Sequence, residues 1–250
     1  MGTVDLLIIV VGLAIAGFAK GTTGMGLPLV ATPILAGVFG PRAAVVIVTI
    51  PILAANSLLL VQGWRRMDVL RGIAPIVVAS AIGTMIGVNL LALLDQRTFA
   101  IMISIMVGVF LSRGDRLIGE DPGATRARVL GPIIGFVGGV LQGTTSIASP
   151  LIGSFFHARK MDRHDYVIVL AAIFQLNAVI QLIGYSLLGL YTPAIIAIGL
   201  LGLVPTLLAL MVGIFFRARL DQRRFRQLIV VLLVLSVANL LWRSFGQITI

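Results

Sequence analysis

The chain has 250 residues, of which 59% are hydrophobic and only 11% charged, and its mean hydropathy is +1.11. Soluble domains carry about a quarter charged residues, so this composition excludes an ordinary soluble fold and indicates a polytopic membrane protein. Without a single cysteine, disulfides, thiolate metal sites and cysteine nucleophiles are excluded, and the net charge of +10 reads as a topology signal rather than a nucleic-acid footprint.

The first residues, Met1-Gly2-Thr3-Val4-Asp5, lack the basic region and cleavage pattern of a signal peptide, so the first apolar run is expected in the mature protein. Apolar runs follow near residues 5–18, 25–39, 43–62, 72–93, 98–112, 129–141, 145–156, 166–187, 193–216 and 227–242. Four of them, 5–18, 25–39, 129–141 and 145–156, are short: about 14 helical residues cover only ~21 Å of a hydrocarbon core ~30 Å thick. They form two pairs, each joined by a polar, glycine-rich break, Lys20-Gly21-Thr22-Thr23-Gly24 and Gln142-Gly143-Thr144-Thr145-Ser146. Each pair is predicted to be a re-entrant helical hairpin. That topology places residues 63–71, 113–128, 157–165 and 217–226 in the cytoplasm, with three, four, three and five of the 19 Lys and Arg. Arg42, Arg97 and Arg243 fall on the other side, Lys20 lies at membrane depth, and both termini face the periplasm.

The chain repeats itself. Lys20-Gly21-Thr22-Thr23-Gly24-Met25-Gly26-Leu27-Pro28-Leu29 aligns with Gln142-Gly143-Thr144-Thr145-Ser146-Ile147-Ala148-Ser149-Pro150-Leu151, 122 residues later. Leu94-Asp95-Gln96-Arg97 and Phe99 match Leu220-Asp221-Gln222-Arg223 and Phe225 at an offset of 126. The expected organisation is one transmembrane domain: repeat 1 over 1–112, a cytoplasmic linker over 113–128 and repeat 2 over 129–250. Each repeat is a hairpin plus three transmembrane helices. An odd number of crossings inverts the second half, giving an all-α polytopic membrane protein with two inverted-topology repeats. Secondary transporters are built this way, with binding at interrupted segments near the midplane.

The breaks suit an anion. A Thr at each is expected to cap the following half-helix, whose first turn presents backbone N–H groups and the positive end of the dipole. Gly21, Gly24, Gly26 and Gly143 allow close backbone approach, with Met25 between two of them, and Thr22, Thr23, Thr144, Thr145 and Ser146 supply hydroxyl donors. Lys20 adds a full charge and finds its counter-charge in an anionic substrate; its counterpart Gln142 is neutral. Asn56 and Asn177, one register off the 122-residue offset, are further candidates. For each the bland alternative stays open: helix packing for the glycines and threonines, snorkelling for Lys20, and interhelical hydrogen bonds for Asn56, Asn177, Gln175 and Gln181. Pro28 and Pro150 read as first-turn or kink residues.

The acidic residues, Asp5, Asp68, Asp95, Asp115, Glu120, Asp121, Asp162, Asp165 and Asp221, all fall in predicted loops or at the terminus. A carboxylate cation cage or proton relay therefore has no evident ligands, and anion cargo fits better. His157 and His164 sit in a basic loop as solvated, orienting residues, and Trp64 and Trp242 as interface anchors. No Ser-His pair, His-Glu-x-x-His or paired Asp at depth supports hydrolysis, and no Walker A motif or dinucleotide fingerprint is present. No catalytic residue, metal or cofactor is expected.

The segment Gly17-Phe18-Ala19-Lys20-Gly21-Thr22-Thr23-Gly24-Met25-Gly26, its echo from Gly139 to Pro150, and the late Leu-Asp-Gln-Arg-x-x-Phe resemble the sulfite exporter TauE/SafE family, also called the toluene sulfonate uptake permeases. The resemblance covers nearly the whole chain. It implies a bacterial inner-membrane transporter of sulfite, sulfoacetate, thiosulfate or a similar sulfur anion, with the family's glycine-rich elements at residues 20–28 and 142–150. In the second copy Ser146 and Ala148 replace Gly24 and Gly26, which sets the two hairpins apart. The expected partners are that small anion and membrane lipid, not nucleic acid, and the sequence leaves a homo-oligomer and the direction of transport open. An alternating-access exporter is the leading reading; the rivals are an anion channel and a non-transporting membrane scaffold.

Overall fold

Glycine, proline and polar residues interrupt the apolar chain, and a computed structural model describing residues 2–113, 118, 121–217 and 222–245 places helices between those interruptions. They are α1 (Thr3–Thr23), α2 (Leu27–Phe39), α3 (Pro41–Gln62), a 3-10 stretch (Trp64–Ile73), α4 (Ala74–Leu93), α5 (Gln96–Arg113), α6 (Gly123–Thr145), α7 (Ser149–Ala158), α8 (Arg163–Leu187), α9 (Pro193–Leu201), α10 (Leu203–Phe216) and α11 (Gln222–Phe245). The local signals are ordinary ones: Asp162 caps α8 by accepting from the His164 amide at 3.0 Å, and Thr192 caps α9 through Ile195 at 3.3 Å. Pro28 and Pro150 both stand in first turns, where a missing N–H costs nothing.

Six stretches are long and apolar enough to cross a membrane: Asp5–Thr23, Pro41–Gln62, Trp64–Leu93, Gly123–Thr145, Arg163–Leu187 and Pro193–Phe216. The first and fourth correct the sequence reading. The first arm of each predicted hairpin is not short; α1 has 21 residues and α6 has 23. Only the return arms are short, at 13 residues in α2 and 10 in α7. Lys20–Thr23 and Gln142–Thr145 are the last helical turns of α1 and α6, and the chain breaks only afterwards, at Gly24-Met25-Gly26 and Ser146-Ile147-Ala148. The reason is packing. A Cβ on Gly21 would lie 2.3 Å from the Leu210 carbonyl oxygen and one on Gly143 2.4 Å from that of Thr84, so these glycines extend a helix against its neighbour's backbone.

The same device runs along two helix seams. In one, α1 packs on α10, with Gly17 against Thr206 and Gly213 against Phe18; in the other α6 packs on α4, with Gly83 against Phe136, Gly87 against Val140 and Gly139 against Ser80. Every one of these contacts puts a would-be Cβ within 2.6 Å of a carbonyl oxygen, the close approach that small residues give membrane helices. In addition α3 packs on α8, and α2 on both α3 and α11.

The described parts of the basic segments gather at one end. Arg66 pairs with Asp162 at 3.2 Å and Asp165 at 3.1 Å, tying the 3-10 stretch to the start of α8. Ile73, Ile76, Ala127 and Phe155 share a core there. At the other end Arg42 donates to the Leu94 carbonyl at 2.6 Å, and Leu94, Leu190 and Tyr191 pack around Phe99 and Tyr185. The pair α1 and α2, antiparallel with Gly12 against Ile34, opens toward this second end. The pair α6 and α7, with Gly138 against Ile152, opens toward the basic end. Of the second sequence match, Asp95 caps α5, bonded to the Thr98 hydroxyl and at 3.2 Å to the Arg97 amide. Its counterpart residues 220–221 lie outside the described residues, as do Asp115 and Glu120.

Candidate functional site

Each long arm ends in a left-handed residue, Gly24 at φ 85° and Ser146 at φ 59°. The Gly24 amide donates to the Lys20 carbonyl at 2.7 Å and the Ser146 amide to that of Gln142 at 2.9 Å, a C-cap of the αL type at equivalent positions of the two copies. One residue before, Thr23 accepts from the Met25 amide and Thr145 from the Ile147 amide, both at 3.2 Å. The tips are thus built alike atom by atom.

The expected capping role of the threonines is overturned. No side chain caps α2 or α7, whose N-cap positions are Gly26 and Ala148. Thr22 donates back to the Ala19 carbonyl at 2.9 Å, Thr144 to Val140 at 2.8 Å and Thr145 to Leu141 at 2.8 Å. Thr23 lies 2.8 Å from the carbonyls of both Ala19 and Met25 with one proton to give. These are the back-bonds that a threonine inside a helix makes to the carbonyl three or four residues earlier, so each hydroxyl is engaged within its own helix.

The tips differ in access. All residues from Gln142 to Pro150 are buried, whereas Thr23, Met25 and Gly26 are only partly covered. Gly26, at φ 92°, has nothing within 4 Å of the place a Cβ would occupy. It borders open space at the start of α2, beside first-turn amides such as Leu27 and Leu29 that a helix leaves without internal partners. Its counterpart Ala148 is fully buried. Met25 reaches across to the second hairpin, where a Cβ on Gly153 would meet its sulfur at 2.8 Å, and Tyr166 donates to that sulfur at 3.3 Å.

Charge is equally lopsided. Lys20 is buried, with 2% of its surface exposed, and no carboxylate pairs with it among the described residues. Two guanidiniums from the basic end hold the same tip: Arg217 donates to the Gly21 carbonyl through Nε at 2.9 Å and Nη2 at 2.7 Å, and Arg163 donates to the Thr22 carbonyl at 3.2 Å. Burial lowers the pKa of Arg217, and the neighbouring Arg163 charge lowers it further. At the second tip neutral side chains are the donors: Tyr185 donates to the Gly143 carbonyl, the counterpart of Gly21, and Gln181 to that of Gln142, the counterpart of Lys20, each at 2.7 Å. Gln181 also reaches Ser146 Oγ at 3.0 Å.

Asn56 and Asn177 stand on α3 and α8. Asn177 donates to Ser80 of α4 at 2.8 Å and Gln175 to Ser57 at 3.0 Å, interhelical bonds in both cases. Asn56 is fully buried with neither side-chain atom bonded, and Thr32 and Ser149, on the two short arms, also hold unbonded buried hydroxyl oxygens. Buried polar atoms without partners are rare and need a reason, such as a ligand or ordered water. Sequence reasoning overlooked Thr32, Ser149, Arg163 and Arg217. Ser149 lies inside the aligned repeat, while the two arginines were read only as topology markers.

A model of the family described as sulfite exporter TauE/SafE matches residues 8–240. The chain belongs to the sulfite exporter TauE/SafE family. With its apolar helices, membership makes this TauE/SafE chain a multi-pass membrane protein of a transporter family rather than an enzyme family, and implies a small anion such as sulfite as its cargo. No curated protein and no solved structure matches it.

Proposed function

We propose that this TauE/SafE chain is a secondary transporter that exports sulfite or a small organosulfonate across the bacterial inner membrane by alternating access. In this reading residues 1–112 and 129–250 are inverted repeats joined by a cytoplasmic linker. The reciprocal seams α1 on α10 and α4 on α6 support that reading, since a two-fold axis in the membrane plane exchanges one for the other. So does the fact that one helix pair opens toward each end. The basic end is cytoplasmic, following the excess of Arg and Lys, and both termini are periplasmic.

The observation that carries the proposal is the first tip. Open space at Gly26 adjoins the N-terminal turn of α2, on a hairpin that also holds a buried lysine lacking a carboxylate partner. Helix N-termini and intramembrane cations are what an anionic headgroup requires. The oxyanion is held by the amides of α2 with Lys20 as counter-charge. Asn56, Thr32 and Ser149 supply further polar contacts. Gly21, Gly143 and the four threonines shape the tips without binding cargo.

The test is current from proteoliposomes on a solid-supported membrane, challenged with sulfite, thiosulfate, sulfoacetate, taurine, sulfate and chloride. Lys20→Gln gives the first tip the residue of the second. A saturable response to a sulfur anion, weakened at least about tenfold in Lys20→Gln as loss of one charge-assisted contact predicts, supports the reading. A Lys20→Gln protein with unchanged apparent affinity removes Lys20 from the site.

A further inference from the structure

A separate cavity of about 200 Å³ opens at the basic end, between the turn after α3, the start of α8 and the end of α10. Its polar wall is Gln62, Arg65, Arg66, His164 and Arg217, and among the described residues no carboxylate lines it. Asp162 and Asp165, at the start of α8, are both engaged by Arg66. Arg65 stacks 5.3 Å above the Trp64 ring, and Arg217 spends its fork on a neutral carbonyl. Two guanidinium charges therefore face this space without a carboxylate among the described residues.

We propose that this cavity is a capture site for the cargo's oxyanion head on the basic face, and that Arg217 couples its occupancy to the first hairpin tip. The inference rests on the transport reading. Three features carry it. The volume is several times the ~30 Å³ share of one water, enough for a small oxyanion with part of its hydration. A concave surface lined by one sign of charge focuses field lines and concentrates the opposite ion. Finally, cavity and tip share residues: Arg217 belongs to both, and Val167, on the cavity floor, is the side chain that a Cβ on Gly24 would meet at 2.5 Å.

The coupling follows from competition for donors. A guanidinium pairs with an oxyanion fork to fork between opposite charges, which adds energy and geometric fit beyond its bonds to a neutral carbonyl. An oxyanion in the cavity draws the Arg217 fork away from the Gly21 carbonyl and frees the tip to move. The crowding of Arg217 by Arg163 favours the same exchange, since an anion between them relieves it.

The test is sided transport in vesicles of phosphatidylcholine alone, offering sulfite, thiosulfate or sulfoacetate to the basic face or the opposite face. Arg217→Gln keeps a donor for Gly21 but removes the charge. Arg65→Ala removes a cavity charge and its stack on Trp64 but none of the guanidinium bonds to the tip, and guards against a folding defect at Arg217. Arg159→Ala, an exposed charge of the same face outside the cavity, is the control. KM from the basic face is expected to rise about tenfold in Arg65→Ala and Arg217→Gln, with weaker salt dependence, while KM from the opposite face and the Arg159→Ala protein stay at wild-type values. Equal KM changes on both faces, or none in Arg65→Ala, overturn the capture site and leave the transport reading standing. An effect seen only when phosphatidylglycerol is added assigns the cavity to a lipid phosphate and also overturns it. Absence of all flux in the wild type defeats the transport reading and this site together.

Discussion

The Tyr185 hydroxyl donates to the Gly143 carbonyl at 2.7 Å, as Arg217 does to the Gly21 carbonyl at the equivalent position of the first copy. Both satisfy the last turn of a long arm, but with different consequences. Tyr185 is fully buried and its oxygen also accepts from Gln181 at 2.9 Å, which locks the second tip into α8. Arg217 is half-buried beside a cavity and can find another acceptor there. Under the proposed exchange of Arg217, the second tip is the fixed half of the pair and the first the half that moves.

Tyr185→Phe tests the fixed half. It leaves the Gly143 carbonyl without its side-chain donor inside the bundle, while the two Gln181 amide protons keep the Gln142 carbonyl and Ser146 Oγ as acceptors. Unmade buried hydrogen bonds of this kind cost about 1–3 kcal/mol. The thermal unfolding midpoint in detergent should fall, while KM for the transported anion remains near the wild-type value. A changed KM at unchanged stability would place Tyr185 in the binding site instead.

The helix seams make a sharper prediction about packing. Alanine at Gly139 would put its Cβ 2.1 Å from the Ser80 carbonyl oxygen, and backbone on a neighbouring helix cannot move aside cheaply. Gly139→Ala is expected to abolish the monodisperse folded species in size-exclusion chromatography. Gly108, exposed on α5 with nothing within 4 Å, is the contrast: Gly108→Ala should be neutral or stabilising by up to about 1 kcal/mol, the helix-propensity difference. Equal behaviour of the two variants would remove the seams as the framework that holds the tips.

Class, helix positions and the two tips were legible because hydropathy and an exact Gly-Thr-Thr echo are written directly in the chain. Where a tip breaks was not. Lys20, Gly21 and Thr22 look like a polar interruption, yet they remain helical because Leu210 and Gly213 of α10 close over Gly21, a contact almost 190 residues away in sequence that no local pattern reports. For the same reason the threonines looked like caps of the following helix. Their hydroxyl direction depends on whether the previous turn is helical, and it is. Arg217 was hidden for another reason, since a basic loop residue announces topology whatever else it does.

Asp162 carries a pH prediction at the basic end. Its carboxyl is held below the ordinary value of 3.8, first by the His164 amide it caps and also by the Arg66 charge. A depressed folded pKa means that the folded state binds fewer protons than the unfolded one. The stabilisation is therefore complete above 3.8 and is lost as pH falls through the lower, folded value. The unfolding midpoint of Asp162→Ala should lie below wild type at neutral pH, and the gap should close in acid beneath the ordinary carboxylate range. Because the side chain is exposed and screened, the gap itself is expected to be small. A gap that widens in acid contradicts the assignment of Asp162 as a charged cap.

The two glycines of the first tip should separate fold from function. Both have positive φ, 85° at Gly24 and 92° at Gly26, so alanine at either carries a backbone cost of about 1–2 kcal/mol. At Gly24 a clash is added, because the Cβ would come within 2.5 Å of Val167 Cγ2. At Gly26 there is none, and the methyl group would simply occupy the open space where the oxyanion is proposed to sit. Gly24→Ala is therefore expected to lose stability most and Gly26→Ala to fold but bind its anion weakly, with KM raised at least tenfold on the scale that loss of one well-made contact implies, about 1.4 kcal/mol. Gly26→Asn, whose side chain tolerates the left-handed region better, guards against reading strain as a binding defect: it should fold more stably than Gly26→Ala and still fail to bind. If Gly26→Asn transports with wild-type KM, the space at the start of α2 is not where the anion lies, and weight shifts to the unbonded polar atoms of Asn56, Thr32 and Ser149.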